Sequence, residues 1–228
     1  MPSEERNHCA HCAIHILGPF QSKLPNEIES ALCHIATYNV PPQASLFIDG
    51  EAGESIYAIR RGLLKLVHFL PNGSYRIVRL LRPGDIAGMG ALIDRAYRHS
   101  AIVMYEAEVC RIPVTTVQQL SKSHTEIYEA LMERWHRSLE AAEIYSAELS
   151  TGGAEARVAR LLLLLDGPTN GQPLPHIRRD DMGALLAISP ETTSRIMADF
   201  RRRGLIKPVS AEAYDYDRDA LAIVARDD

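Results

Sequence analysis

The spacing of apolar residues changes from a strand-like to a helical pattern near residue 114, and this change narrows the possible fold classes. Between residues 40 and 113, short apolar and β-branched runs alternate with turn signals. Among them, Asn72-Gly73 lies between two alternating runs, which is a strong signal for a β-hairpin. From Val114 onwards, apolar residues recur at helical spacing instead. Many short strands followed by helices predict an α+β fold, in which a β-sandwich or barrel-like roll precedes a helical C-terminal half.

Length, composition and charge exclude several classes of protein. The chain has 228 residues, 46% of them hydrophobic, which allows one large domain or two small ones with real cores. No apolar run approaches the ~18 residues of a membrane span, and the N-terminus lacks the basic and apolar regions of a signal peptide. We therefore expect a cytoplasmic protein without a membrane partner. Because the net charge is −4, any nucleic-acid-binding surface must be local.

Two helices are predicted on either side of the roll. Residues 25–38 form a short helix that begins near Pro25. Residues 124–150 form a long helix whose apolar residues recur every three or four positions, as a narrow stripe. Because the stripe extends over about seven turns, it predicts a pairing helix; the alternative is a helix packed wholly on its own roll. The predicted dimer contacts are Ile127, Leu131, Trp135, Leu139, Ala142 and Tyr145.

Residues 179–206 predict two helices joined by a tight turn, as in a helix-turn-helix. The first helix covers residues 179–186, and the second begins with Ser189 as N-cap and Pro190 in its first turn. The second helix is a recognition-helix candidate, because its first two turns would reach base edges. The alternative is an amphipathic helix pair with a solvated, arginine-rich face. The inward face comprises Thr193, Ile196, Met197 and Phe200, and the outward face Glu191, Ser194 and Arg195.

The outward face of the second helix has the chemistry needed to contact DNA. A glutamate accepts a hydrogen bond from the cytosine N4 amine, and an arginine donates to guanine or to phosphate. Residues 191–207 contain five basic and two acidic residues, a local positive patch that would bind phosphates. The predicted DNA contacts are Ser189, Glu191, Thr192, Ser194, Arg195, Arg201 and Arg202.

These segments resemble one family of transcription regulators. SPETTSRIMADFRRRGLI (189–206) is similar to the recognition helix of the CRP/FNR regulators, in the Glu-x-x-Ser-Arg form of the FNR branch. GESIYAIRRG (53–62) and RPGDIAG (82–88) resemble the β-roll of that family. The resemblance covers roughly residues 20–226. It implies a cyclic-nucleotide-binding-like β-roll, a long dimerisation helix and a C-terminal winged helix-turn-helix.

The resemblance also implies partners and a domain order. The partners are a second copy of the chain, RNA polymerase and double-stranded DNA with a palindromic, TTGAT-like site whose half-sites lie about one helical turn apart. The expected divisions are a cysteine-containing sensor arm (1–22), a β-roll sensor domain (23–123), a dimerisation helix (124–150) and a winged helix-turn-helix domain (151–228).

The residues of the roll argue against a cyclic nucleotide as its ligand. Cyclic-nucleotide sensors of this family bind ribose with the Glu of a Gly-Glu segment and phosphate with the Arg of an Arg-Ser-Ala segment. Here Met89 and His99 stand at those positions. Met89 cannot accept from a ribose hydroxyl, and a histidine is mostly neutral at pH 7. Arg98 is displaced by one residue, which on a strand turns it to the other face.

The cysteines favour a different signal. Cys9-x-x-Cys12 resembles the first two ligands of the FNR iron–sulfur arm, and VCRIP (109–113) resembles the segment with the central cysteine ligand. The resemblance therefore implies an oxygen-labile iron–sulfur cluster, of the 4Fe-4S type, held by Cys9, Cys12 and Cys110. In place of the third cysteine of the family's arm stands Leu17-Gly18. Cys33 or a histidine (His8, His11 or His15) would then supply the fourth ligand.

Several alternatives stay open at this point. Thiolates suit zinc and iron–sulfur clusters alike, and Cys110 alone also fits a small buried apolar residue. A two-cysteine redox switch, haem or a gas, and a small molecule in the roll would each keep the DNA-binding function. A metal-binding or electron-carrier protein without DNA activity is a rival from another class. An enzyme is not predicted, because the sequence has no nucleophile–base pair, phosphate loop or HExxH motif.

Overall fold

The computed structural model describes residues 4–5, 35–166, 174–210 and 213–226. Its chain divides into two compact units. The first extends to Ser74 and resumes over Val78–Glu140; the second comprises Tyr75–Ile77 and the residues from Ala141 onwards. Within the described residues, no helix has both the length and the apolar character needed to cross a membrane.

A seven-stranded antiparallel sheet forms the roll of the first unit. Its main path is β1-β2-β7-β4-β5, with β3 paired to β7 and β6 paired to β4. The strands are β1 (Glu4–Glu5), β2 (Ala36–Val40), β3 (Ser45–Phe47), β4 (Ser55–Phe69), β5 (Tyr75–Leu81), β6 (Ile86–Ala87) and β7 (Ser100–Pro113).

Strands β4 and β7 are longer than the sequence predicts. Several short runs join into two strands of 15 and 14 residues, which pair from Ser55 and Pro113 to Val67 and Ser100. The register shifts around Gly62, where φ is +95° and a Cβ would lie 2.5 Å from the carbonyl oxygen of Glu106. Only glycine fits this close approach, so the strand bends there instead of ending.

The predicted hairpin at Asn72-Gly73 is confirmed. Gly73 has a φ of +81°, and the Leu70 amide donates to the carbonyl oxygen of Ser74 at 2.8 Å. The prediction of a helix over residues 25–38 is wrong at its C-terminal end, because residues 36–38 belong to β2. Pairing of β2 with β7 overrides the local helical pattern there. Residues 25–34 lie outside the described part of the chain.

Helices also occur within and after the strands of the roll: α1 (Ala91–Asp94), α2 (Val114–Ser123) and α3 (Thr125–Glu148). The start of α3 packs on the roll, where two of the predicted dimer contacts lie. Ile127 and Leu131 belong to the hydrophobic core of the roll, so their side chains already pack within one chain, and their contact with a second chain stays a prediction. Of the other predicted contacts, Leu139 and Ala142 are exposed, and Trp135 remains 39% exposed. Tyr145 is half-buried.

The second unit is a winged helix-turn-helix. Its three-stranded sheet has the order β8-β10-β9, and β9 and β10 pair antiparallel within the C-terminal tail, residues 205–226. A helix in the same tail, α7, was not predicted. The elements are α4 (Ala154–Asp166), β8 (Leu174–Pro175), α5 (Arg179–Leu186), α6 (Pro190–Arg202), β9 (Ile206–Pro208), β10 (Ala213–Tyr216) and α7 (Arg218–Val224).

Candidate nucleic-acid interface and sensor residues

The turn between α5 and α6 is built by local contacts. Ala187 ends α5 in the left-handed conformation, with a φ of 59°. Ser189 caps α6, because its Oγ accepts from the amide of Thr192 at 3.1 Å, and Pro190 follows in the first turn. At Gly183 a Cβ would lie only 2.7 Å from the carbonyl oxygen of Ile188. The glycine therefore lets the turn approach the backbone of α5 closely.

Helix α6 is fastened by its apolar face and presents its polar face outwards. The predicted inward residues Thr193, Ile196, Met197 and Phe200 are all buried. Glu191, Ser194 and Arg195 are exposed, three and four residues apart on one side of the helix. A hydrogen bond with Ser189 lowers the pKa of the Glu191 carboxyl, so this side chain is an anionic acceptor at neutral pH.

The arginine-rich end of α6 is partly neutralised within the unit. Asp199 forms ion pairs with Arg202 and Arg203, and Glu155 of α4 also pairs with Arg203. Simple counting of charges along the sequence missed the pairing with Glu155, which lies 48 residues away. Arg202 nevertheless keeps an 80% exposed side chain, and Arg201 is exposed. Both remain able to contact phosphates.

Two arginines that the sequence analysis did not single out organise the second unit. Arg157 of α4 donates from Nη1 to the carbonyl oxygen of Leu186 at 2.8 Å, which satisfies the C-terminal end of α5. Arg160, one turn later, donates to the carbonyl oxygens of Ala225 and Thr151 at 2.7 and 2.9 Å. The only available sequence signal was their i, i+3 spacing within a largely apolar helix.

The residues that replace the nucleotide-binding pair lie at a cavity in the roll. Met89 and His99 both line it; Met89 is buried, and burial lowers the pKa of His99. His99 is therefore neutral at pH 7. Arg98 also reaches this cavity, but its side chain is 71% exposed and its Nε lies 3.0 Å from Asp94 Oδ2. The arginine thus has a carboxylate partner at the surface.

The predicted cluster ligands are not assembled in the described part of the chain. Cys9, Cys12 and Cys33 lie outside the described residues. Cys110 is 0% exposed in the core of the roll, and its Sγ lies 3.7 Å from Thr37 Oγ1. No group of three or more His, Cys, Asp or Glu side chains suited to a metal ion occurs among the described residues. Cys110 by itself is placed like a structural thiol.

Comparisons with known proteins agree with this architecture. Models of the cyclic nucleotide-binding domain and of the Crp-like helix-turn-helix domain match residues 38–124 and 156–222. The transcriptional regulator LdrP of Thermus thermophilus is 30% identical over 182 residues, which cover 78% of this chain and 90% of LdrP.

Two further relatives extend the comparison. The anaerobic regulatory protein of Aggregatibacter actinomycetemcomitans is 27% identical over 208 residues, which cover 87% of this chain and 80% of that protein. The crystal structure of a CRP-family transcriptional regulator from Thermus thermophilus is 28% identical and has a TM-score of 0.71; the match covers 82% of this chain and 95% of that one. The chain therefore belongs to the CRP/FNR family of DNA-binding, non-enzymatic transcriptional regulators.

Proposed function

We propose that this regulator binds a palindromic, TTGAT-like DNA site as a homodimer and responds to oxygen or redox state through its cysteines. The observation that supports the proposed DNA binding is the exposed face of α6. Glu191, Ser194 and Arg195 project from its first two turns, which are fixed by the Ser189 cap and by a buried opposite face. A preorganised helix of this kind enters the major groove with its N-terminal residues at the base edges.

Different side chains of α6 take different parts in binding. Arg195 and Glu191 form the pair that discriminates bases, since arginine donates to guanine and glutamate accepts from cytosine. Ser189 and Thr192 border them at the start of the helix and contact the backbone or a base edge. Arg201 and Arg202 bind phosphates. Contact with RNA polymerase, implied by the family, belongs to this proposal.

A second copy of the chain supports recognition of a palindrome. Four of the large exposed apolar residues of α3 form a stripe: Tyr128, Met132, Trp135 and Leu139. Their spacings of four, three and four place them on one face of the helix. A two-fold dimer through this face would bring two α6 helices to half-sites about one turn of DNA apart.

The proposed response to oxygen or redox state rests on the chemistry of the four cysteine thiols and on the distance that the chain allows between them. Strand β1 pairs with β2 so that Glu5 lies opposite Thr37, and Thr37 lies opposite Cys110 on β7. Cys9 follows Glu5 by four positions in the chain, which limits their Cα distance to about 14 Å. Cys110 lies two strand spacings, about 10 Å, from Glu5. Cys9 is therefore within reach of Cys110 by chain length alone.

We propose that Cys9, Cys12 and Cys110, with Cys33 or a histidine, hold an iron–sulfur cluster of the 4Fe-4S type. Cysteine thiolates are the ligands that such clusters take, and oxygen attacks an exposed cluster. Before it can bind iron, Cys110 must exchange its contact with Thr37 for the metal, because its thiol is buried. The relative named as an anaerobic regulatory protein supports an oxygen signal.

A regulator of the same family without a cluster is the second candidate. The complete burial of Cys110 and the missing third cysteine of the arm favour it. Its signal would be thiol redox, haem, a gas or a small molecule. Anaerobic purification with assays for iron and acid-labile sulfide separates the two candidates. Iron with sulfide, together with an absorption band that bleaches in air, supports the cluster. The absence of both overturns it.

A comparison of two arginine substitutions tests the proposed DNA binding. Arg195→Ala is expected to weaken binding to a TTGAT-like palindrome by about 1–3 kcal/mol and to relax the preference at one base pair. Arg201→Ala is expected to weaken binding to all sequences alike and to reduce its salt dependence. Fluorescence anisotropy on the palindrome and on scrambled DNA measures both. Equal losses on both DNAs for Arg195→Ala would contradict the assignment of base contact.

A further inference from the structure

A histidine and two arginines lie close together on the winged helix-turn-helix unit. His176 follows β8, Arg179 begins α5, and Arg201 lies near the C-terminal end of α6. The charges of both arginines act on the side chain of His176, so the three groups are near enough to interact electrostatically. We refer to these three residues as the basic cluster.

A buried tyrosine supports two members of the basic cluster. Tyr214 of β10 is 5% exposed, and β10 pairs with β8 so that Tyr214 lies opposite Leu174. The rings of His176 and Tyr214 have a centroid distance of 5.2 Å, and Arg179 Nη2 lies 3.5 Å from the Tyr214 hydroxyl oxygen. Strand pairing therefore places the histidine and the arginine against the same aromatic side chain.

In the free protein the imidazole of His176 is largely neutral at pH 7. Burial lowers its pKa, and the positive charges of Arg179 and Arg201 lower it further, because burial and like charges both disfavour the protonated form. Among the described residues, the phenol of Tyr214 is the other titratable group against the ring, and no carboxylate shifts this pKa. The basic cluster therefore holds one proton fewer than it could accept.

A DNA phosphate at the basic cluster would favour the protonated imidazole. Arginines donate to phosphate oxygens, and Arg201 is exposed and belongs to the proposed phosphate contacts of α6. A nearby negative charge stabilises a charged imidazole, in which both ring nitrogens are donors. The phosphate thus offsets the repulsion from the two arginines that keeps His176 neutral in the free protein.

We propose that His176 is a proton-linked DNA contact, which takes up a proton when a backbone phosphate binds to the basic cluster. The inference rests on the proposed binding of DNA by α6 and adds a pH-dependent contact to it. Because the complex then holds more protons than the free protein, DNA affinity is highest at acidic pH. It falls as the pH rises through the pKa that His176 has in the complex, by up to about tenfold per pH unit for one proton.

The pH dependence of DNA affinity tests this inference. Fluorescence anisotropy gives the affinity of full-length protein for a TTGAT-like palindrome between about pH 5.5 and about pH 8.5, where a histidine changes charge, at constant ionic strength. The affinity of the parent should fall as the pH rises. His176→Gln should bind several-fold more weakly at acidic pH and lose this fall. His176→Lys has a permanent charge in this range, so its affinity should stay high at the alkaline end.

His68→Gln is the matched control, because His68 is an exposed histidine on β4 of the first unit. It should keep the parental pH profile. If the His176 ring only supported Tyr214, both His176 substitutions would weaken binding at every pH and keep the parental slope.

Calorimetry provides a readout that does not depend on the folding of a variant. Titration of the parent with DNA in two buffers of different ionisation enthalpy counts the protons taken up on binding. We expect an uptake near pH 7, which His176→Gln removes. A parent that binds DNA without proton uptake, or an unchanged pH slope in both His176 variants, overturns this inference alone. A parent that does not bind the palindrome at any pH overturns the proposed DNA site and this inference with it.

Discussion

Helices α3 and α6 have similarly regular apolar patterns, but the fold treats them differently. In α6 the entire apolar face, from Thr193 to Phe200, is buried within the second unit. In α3 the predicted stripe starts in the core of the roll at Ile127 and emerges by Leu139, which is 53% exposed. The stripe therefore belongs to two environments along one helix. Tyr128 and Met132 lie beside its buried start and remain exposed, on the same face of the helix as Trp135 and Leu139.

The contrast shows what helical periodicity predicts and what it does not. Spacing identifies the face of a helix that avoids water, and both helices obey this rule. It does not identify the partner that covers that face. The residues that cover the apolar face of α6 lie within the same small unit. Helix α3 extends beyond the core of its roll, and some of its apolar residues stay exposed and available to another surface. Substitutions in and around the two helices test this contrast.

The largest effect is expected from Phe200→Ala in α6. Phe200 is fully buried, so its truncation leaves a cavity and should lower the free energy of unfolding of the second unit by about 3–5 kcal/mol. Urea denaturation followed by circular dichroism measures the loss. Ser194→Ala, on the exposed face of the same helix, is the control and should change stability by less than about 0.5 kcal/mol. Similar losses in the two variants would contradict the assignment of faces.

Two substitutions in α3 should separate folding from pairing. Ile127→Ala removes a core residue of the roll and should destabilise it by about 2–5 kcal/mol. Leu139→Ala should leave the stability of the roll nearly unchanged and weaken self-association instead. Analytical ultracentrifugation over a concentration series measures the association. If Leu139→Ala left the dimer intact while Ile127→Ala dissociated it, the division of the stripe would be wrong.

Gly183→Ala tests how closely the turn approaches α5. The added methyl would lie 2.7 Å from the carbonyl oxygen of Ile188, and overpacking of this kind costs about 1–3 kcal/mol. Thermal unfolding of the parent and the variant gives the difference. Gly153→Ala is the matched control, because nothing lies within 4 Å of a Cβ at that position. An unchanged melting temperature for Gly183→Ala would show that the turn relaxes without cost.

The smallest effect is a gain from Ala187→Gly. Ala187 adopts a left-handed conformation, with a φ of 59°, which is unfavourable for residues with a Cβ. Glycine removes that strain and should raise the free energy of unfolding by about 0.5–1 kcal/mol. Ala184→Gly inside α5 should have the opposite sign, with a loss of about 1 kcal/mol. Chemical denaturation gives the free energy of unfolding of both variants. An increase in each would refute the explanation that Ala187 is strained.

Much of the DNA-binding unit was predictable because its signals are local. The bounds of α5, the Ser189 cap and the two faces of α6 all depend on residues within a few positions of one another. Helix α7 was missed although Asp217 caps it, with Oδ1 accepting from the amide of Ala220 at 3.0 Å. Seven residues beside two short strands give only a weak periodic pattern, which does not by itself identify a helix.

Less of the first unit was predictable, because its decisive contacts join residues far apart in the chain. Residues 36–38 pair with β7 in the sheet and do not form the helix that their local pattern predicts. The environment of Cys110 depends on Thr37, 73 residues away. The cavity around Arg79 combines segments from Phe47 to Ser138, so no motif in the sequence marks it.

Short-range patterns along the chain were enough to predict the order of a β-roll, a long helix and a helix-turn-helix, the hairpin at Asn72-Gly73, and the capped helix that presents Glu191 and Arg195. These features follow from backbone preferences and from hydrophobic periodicity over short spans. The three-dimensional fold was needed to show that β4 and β7 continue through Gly62, that part of the α3 stripe is buried in its own roll, and that Arg79 borders a cavity. Those outcomes depend on pairing and packing between distant segments, which local patterns do not encode.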